Sequence, residues 1–508
     1  MGTRTPATLT YTARHDGRTV LVTGSSGYVG GRLVTELLAA GFTVRASSRN
    51  VSGLQRFDWS DEVEAVQADL TDLDDATRAM TGVDVVFYLV HSMGEKGQDF
   101  EEAEQRTAET VRVAAEQAGV RQIVYLSGLH PRGREPGELS SHMRSRDRVA
   151  RILLAGATPT LVFRAATIIG SGSASFEIIR HLTERLPLMV APAWINNRIE
   201  PLAVRDALYY LVAAADLPEP VNRGYDIGCG HTYRFSDLLR IYGRLHGLRR
   251  GIFAVPLPLP MDKLSGGWIG LVTPVPSPLA VPLAQSMAED AVTEEHDVVE
   301  IIPDPPGGLI DYPMAVELVV KAESGRGVPT SWDRSWSRVS DAADSRPTDP
   351  EWSGQTIHED TRSVECDVPA EQVWKVLEGI GGANGWYSSP ALWRIRGTID
   401  RLIGGPGLGG RRDPRRLLVG DRVDWWRVAE IDPPRRLVLA AEMKVNGRAW
   451  LIMELTDRDG GCTYVQRALY APTGLTGRLY WWSVMPFHAL IFPVMVRTIM
   501  ATSRQGGR

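Results

Sequence analysis

From Arg18 to about Gly251 two kinds of pattern alternate along the chain. Short apolar runs, "TVLVTG", "FTVRASSR", "VEAVQADL", "VDVVFYLV", "RQIVYLSG" and "PTLVFRAAT", read as strands covered on both faces. Between them lie "YVGGRLVTELLAAG", "DLDDATRAMTG", "DFEEAEQRTAETVRVAAEQAG" and "SSHMRSRDRVARILLAG", with apolar residues on one helical face. These stretches end in Gly, which readily takes the left-handed conformation that stops a helix. Strand, helix, strand repeated in this way predicts an α/β unit with a doubly wound parallel sheet. The acidic run "EEAEQ" is expected to be a solvated helix face.

Further along the period is lost. Residues 252–321 are proline-rich and irregular until "MAVELVVKA", and are expected to cover the substrate side of the first domain. Pro274, Pro276, Pro278 and Pro282 argue against a helix across the uncharged stretch Leu264–Met287. Residues 322–355 are polar and aperiodic, a predicted linker. After 356 an extended piece and a short helix, "AEQVWKVLEGI", precede "DRVDWWRVAEI", "RRLVLAAEMKV", "RAWLIMELTD" and "CTYVQRALYA", which read as antiparallel strands. An apolar helix closes the chain. A curved sheet gripping a terminal helix is an α+β container for a small ligand. The expected division is a mobile tail at 1–17, a first domain at 18–321, a linker at 322–355 and a second domain at 356–508.

Composition narrows the function. With 508 residues the chain builds two or three cores, and a net charge of −5 with mixed signs excludes a nucleic-acid surface. Cys229, Cys366 and Cys462 form no CxxC, and the histidines form no HxxxH or HExxH, so neither a disulfide framework nor a metal site is expected. The first residues, "MGTRTPATLTYTARHDG", hold no apolar run of a signal peptide, and the expected location is the cytoplasm. Leu479–Val496, between Arg478 and Arg497, is barely long enough to span a bilayer. Pro486, His488 and Pro493 favour a buried or interfacial helix there, which leaves peripheral membrane association through 479–496 open.

The first strand and helix enclose "GSSGYVGG". Gly24 permits a tight turn, Gly27 lets backbone approach a pyrophosphate, and Gly30 lets helix and strand pack closely. This makes the sheet Rossmann-type, with Gly24, Ser26, Gly27, Tyr28, Val29 and Gly30 as expected dinucleotide contacts. The second strand ends in "ASSRN", where Arg49 suits a 2′-phosphate, so NADP is the expected cofactor with NAD as the alternative. Asp69 and Leu70 at the third strand end, and Leu89 and Val90 at the fourth, complete the set. Asp69 would lie by the adenine or cap a helix.

These motifs, with "ADL", "YLS", "HMRSRDRVARILLAG" and "FRAATIIGSG", resemble the atypical branch of the short-chain dehydrogenase/reductase superfamily over roughly residues 18–250. "GRRDP", "GDRVDWWRV", "AEMKVNGRAWL" and "PFHALIFP" are similar to a START-like (polyketide-cyclase-like, DUF2867-type) helix-grip extension. The first resemblance implies a Ser–Tyr–Lys set. Ser127 matches the serine, which holds the substrate oxygen. His142 stands at the tyrosine position and Arg146 at the lysine position. No lysine occurs between Lys96 and Lys263 and no tyrosine between Tyr125 and Tyr209, so no shift of alignment restores the pair. His142, or His91 at the end of the fourth strand, is the candidate proton donor.

The expected function is hydride transfer to or from a carbonyl or alcohol of a small, hydrophobic substrate. The alternatives are a non-catalytic NADP(H)-binding redox sensor or assembly factor, a nucleotide-sugar epimerase or dehydratase, and a membrane-associated lipid or quinone reductase. Trp374, Trp386, Trp393, Trp425, Trp426, Trp450, Trp481 and Trp482 line a hydrophobic-ligand cavity in the second domain or form its core. The sequence leaves the oligomeric state open.

Overall fold

The computed structural model describes residues 9, 11–15, 17–90, 99–129, 139–255, 273, 275, 277–287, 289–325, 354, 356–413 and 415–505. It divides near Gly354 into two compact units.

In the first unit, strands β1 (Thr19–Val22), β2 (Thr43–Ser48), β3 (Glu64–Gln67), β4 (Val85–Tyr88), β5 (Gln122–Gly128), β6 (Thr160–Ala165) and β7 (Arg223–Ile227) form one sheet. Its order is β7-β6-β5-β4-β1-β2-β3 and every pairing is parallel. The central strands β1, β4 and β5 are covered on both faces because alternate residues face opposite layers, whereas the edge strand β3, Glu64–Gln67, is largely exposed. Val20 and Val22 meet helices α1 (Tyr28–Ala40) and α6 (Val204–Ala215) on one side. Leu21 meets α2 (Leu73–Met80), α3 (Asp99–Ala118) and α4 (Ser141–Leu154) on the other. Strand order reverses between β1 and β4, which opens a crevice at their carboxyl ends.

A further core stands apart from the sheet. It joins α5 (Ala174–Arg185), α7 (Phe235–Leu245), α8 (Ser277–Ser286) and α9 (Tyr312–Gly325) through Phe176, Leu239, Ala280 and Val316. Helix α8 occupies only residues 277–286 of the stretch 264–287; Pro274 and Pro276 lie outside the described residues. Pro278 falls in the first turn of α8, where no backbone donor is needed, so Pro282 alone interrupts the interior.

The expected mobile tail is also corrected, from Tyr11 onward. Asp216, at the carboxyl end of α6, accepts hydrogen bonds from the Tyr11 hydroxyl (2.9 Å) and from the backbone N–H of Arg14 (2.9 Å) and His15 (2.8 Å). Leu9, Tyr11 and Ala13 pack against the sheet core.

In the second unit β8 (His358–Cys366), β9 (Arg422–Val423), β10 (Trp426–Asp432), β11 (Arg436–Ala441), β12 (Gly447–Arg458) and β13 (Gly461–Pro472) form an antiparallel sheet in the order β8-β13-β12-β11-β10-β9. A register shift between Val428 and Glu430 bends it. Helices α10 (Ala370–Glu378) and α12 (Gly474–Gln505) pack on one face through Val373, Leu377, Met495 and Ile499. Helix α12 runs through Pro486 and Pro493, well past both ends of the expected 479–496. A further helix, α11 (Pro390–Leu402), lies between α10 and β9 in sequence.

Candidate functional site

The glycine loop follows directly from its side-chain-free positions. Gly24 has φ +66°, and a Cβ there would sit 3.1 Å from the Leu89 carbonyl oxygen. A Cβ on Gly30 would lie 2.2 Å from the Gly24 oxygen, which no side chain tolerates. Neighbouring hydroxyls pin the loop. Ser25 Oγ donates to the Ser47 carbonyl at 2.9 Å, and Thr23 Oγ1 donates to the Phe87 carbonyl at 2.9 Å while accepting from Leu89 N at 3.0 Å. Helix α1 starts at Gly27 with no side-chain cap and no acidic residue in its first turn, which leaves its N-terminal donors for an anion. The residues present therefore fit a dinucleotide pyrophosphate.

A cavity of about 790 Å³ runs from this loop along the strand ends. All the expected cofactor positions line it: Gly24, Ser26, Gly27, Tyr28, Val29, Gly30, Arg49, Asp69, Leu70, Leu89 and Val90. Arg49 is exposed at the outer end. Asp69 accepts from Thr71 N at 3.0 Å and from Thr71 Oγ1 at 2.8 Å; these bonds, with the Arg49 cation, hold its carboxyl below the usual range. The cap of α2 is Asp72, not Asp69.

At the inner end the cavity is lined by Ser127, His142 and Arg146, brought together from β5 and α4. Ser127 and His142 are buried. Arg146 donates to the Leu126 carbonyl at 3.0 Å and to the Tyr125 hydroxyl at 3.3 Å, while Asp147 pairs with Arg151. Burial raises the Tyr125 pKa despite the Arg146 cation, so this phenol stays protonated at neutral pH. His91 lies outside the described residues. The run taken as a solvated helix face instead holds α4: Glu101 pairs with Arg144 at 2.8 Å and Glu104 accepts a hydrogen bond from Ser145. Arg144 and Ser145 thus face α3, and His142, Met143 and Arg146 face the crevice.

The sequence assigns residues 252–321 to the substrate side but singles out none of the side chains that line the cavity there. Ile168, Phe235, Leu279, Leu283 and Met287 make its far wall apolar, with Asn197 and Arg198 beside them. Leu279, Leu283 and Met287 come from α8 and its end, the stretch whose prolines hid a helix. Among the described residues no cluster of His, Cys, Asp and Glu is arranged to hold a metal.

The second unit has its own cavity, of about 950 Å³, lined by Trp386, Tyr387, Trp393, Arg394, Arg411 and Val494 among others. Of the tryptophans, Trp386 and Trp393 line it, stacked at 5.0 Å, whereas Trp374, Trp425, Trp426, Trp450 and Trp481 are buried and Trp482 is exposed. Tyr387 and Asp424, both at this cavity, have φ of +51° and +57°. Asp424 is held so by Trp386 Nε1 at 2.7 Å, Gly382 N at 3.1 Å and Gly410 N at 2.9 Å.

Residues 24–157 match a family described as NAD(P)H-binding, and residues 352–495 match one described as a protein of unknown function, DUF2867. The chain is 35% identical over 117 residues to a 3 beta-hydroxysteroid dehydrogenase/Delta 5-->4-isomerase of Mycobacterium tuberculosis, a match covering 21% of this chain and 31% of that protein. It is 35% identical over 125 residues to a 3-beta-hydroxysteroid dehydrogenase of Mycolicibacterium neoaurum, covering 22% and 33%. The match thus spans about a third of the length of these curated relatives. Among solved structures, the NADP(H) complex of Citrobacter sp. triphenylmethane reductase aligns with 59% of this chain and 99% of that one, at 17% identity and a TM-score of 0.47. An NADPH-dependent quinone oxidoreductase of Escherichia coli aligns over the same shares, also at 17% identity and 0.47.

Proposed function

With an NAD(P)H-binding domain at residues 24–157, we propose that the chain is an NADP-dependent oxidoreductase acting on the carbonyl or alcohol of a small apolar molecule. One observation carries the reading: Ser127 and His142 line the cavity that begins at the glycine loop and ends in an apolar wall. NADPH, when bound, supplies the hydride. The Ser127 hydroxyl donates a hydrogen bond to the substrate oxygen and holds its carbon toward the cofactor crevice. His142 delivers the proton that the oxygen takes up as the carbonyl carbon is reduced, and removes it in the reverse direction. Arg146 keeps the end of β5 in place through the Leu126 carbonyl and sets a fixed positive charge near the developing alkoxide. The preference for NADP rests on Arg49 at the outer end of the cavity. An apolar alcohol or ketone suits the wall of Ile168, Phe235, Leu279 and Leu283, and the hydroxysteroid dehydrogenases among the relatives support the same substrate class.

The test is incubation of the protein with NADPH deuterated at C4 and a small-molecule extract of its own cells, followed by mass spectrometry. Deuterium in an apolar metabolite is the expected result. Tight NADPH binding with no transfer would instead favour a redox sensor, the reading that the absent Tyr–Lys pair supports.

A further inference from the structure

The second unit buries one side of α12 and leaves the other bare. Trp481, Phe492, Met495, Val496, Ile499 and Met500 are in its core. On the opposite side Leu479, Trp482 and Leu490 are 59%, 62% and 66% exposed, in line with Leu475 and Val494. Positions 475, 479, 482, 490 and 494 follow helical spacing and make one apolar stripe about 28 Å long. A monomer in water has no use for such a stripe.

Helix α11 repeats the arrangement. Ile395, Ile399 and Leu402, at i, i+4 and i+7, are exposed, with Leu402 at 82%. The two helices are neighbours: Arg396 Nη2 lies 3.1 Å from the Tyr480 hydroxyl, and Trp393, Arg394 and Val494 line one cavity.

The two helices themselves carry an excess of cations, although Arg504 pairs with Asp367 at 2.8 Å and Arg478 donates to Thr356 Oγ1 at 3.0 Å, which leaves Arg394, Arg401 and Arg497 as the cations beside the stripes. Helix α12 contains Arg478, Arg497 and Arg504 and no Asp or Glu in 32 residues. Helix α11 adds exposed Arg394 and Arg401, and its one acid, Asp400, is buried and accepts from Gly407 N and Lys444 N at 2.8 Å each.

We propose that this two-helix face docks the protein on an anionic lipid bilayer, with α11 and α12 lying in the plane of the interface. Apolar residues enter the acyl boundary, Trp482 sits at headgroup level, and Arg394, Arg401 and Arg497 meet lipid phosphates. Helix α12 is long and apolar enough to cross a membrane, but crossing would strip Phe492, Met495 and Ile499 out of the core. The proposal stands independently of the cofactor site.

The test is flotation of the full chain with vesicles of phosphatidylglycerol and phosphatidylcholine in equal parts, against phosphatidylcholine alone. Preferential binding to the anionic vesicles is expected, weakening as salt rises. Leu479→Glu with Leu490→Glu should weaken binding at least about tenfold, and Ile399→Glu should weaken it independently. Arg394→Gln and Arg401→Gln should each cost about fivefold on anionic vesicles and nothing on neutral ones. Unchanged melting and NADPH binding of the variants would show that they fold. A monodisperse dimer that ignores vesicles would overturn the proposal in favour of an interface between copies. Membrane-bound protein that resists alkaline carbonate would overturn it in favour of a span, and a monomer that never floats would overturn it outright.

Discussion

Gly30 has no room for one carbon atom, and the consequence is measurable. Gly30→Ala should cost about 1–3 kcal/mol in urea unfolding, because backbone rather than a flexible side chain must give way; NADPH affinity should fall with it. Ser127→Ala should slow turnover about 10²-fold or more, and His142→Ala by about 10²–10⁴, each with NADPH affinity nearly unchanged. If neither variant alters turnover, the assignment of these two side chains is wrong. Arg49→Ala should weaken NADPH about tenfold or more in titration calorimetry while leaving NADH nearly unaffected. The glycines were legible because their spacing states a backbone requirement. The division of labour within "HMRSR" was not. The partners Glu101 and Glu104 lie 43 and 41 residues before Arg144 and Ser145, on another helix, and no local pattern links them.

Elements were legible wherever their period was clean. The runs that became β1, β4, β5 and β6 announce themselves because both layers demand apolar residues. Helix α8 did not, because its prolines argue against a helix one residue at a time, while packing of Ala280 and Ala284 into a core outweighs one lost hydrogen bond. The segment Tyr11–His15 was illegible for a different reason: its polar residues read as tail, and the carboxylate that fixes them is at position 216. Burial works against the Asp216 charge, but the Arg14 and His15 N–H groups and the Tyr11 hydroxyl prevail, and its pKa lies below the ordinary value. A depressed carboxylate stabilises the fold above its unfolded pKa and loses that contribution as pH falls through the folded value. The segment should therefore resist proteolysis at neutral pH and loosen below about pH 4. Asp216→Asn should make it protease-sensitive at both.

For the whole molecule, the change from alternating strands and helices to antiparallel strands was visible in the sequence and corresponds to two units with separate cores. The helical lobe of the first unit was not visible, because it is assembled from segments between residues 174 and 325 that share no pattern. Separate cores carry an expectation for calorimetry. NADPH at 100 times its dissociation constant should stabilise the first unit by about 2.7 kcal/mol, leaving the melting of the second in place.

The bond between His15 and Asp216 also sets a schedule. The two residues are 201 positions apart. At about 5–20 residues per second, a ribosome makes the second about 10–40 s after the first. For that interval the opening segment of the nascent chain has no partner, and Tyr11 and the apolar residues beside it stay available to chaperones. The segment thus cannot dock until residue 216 has been made, however early β1 and α1 form.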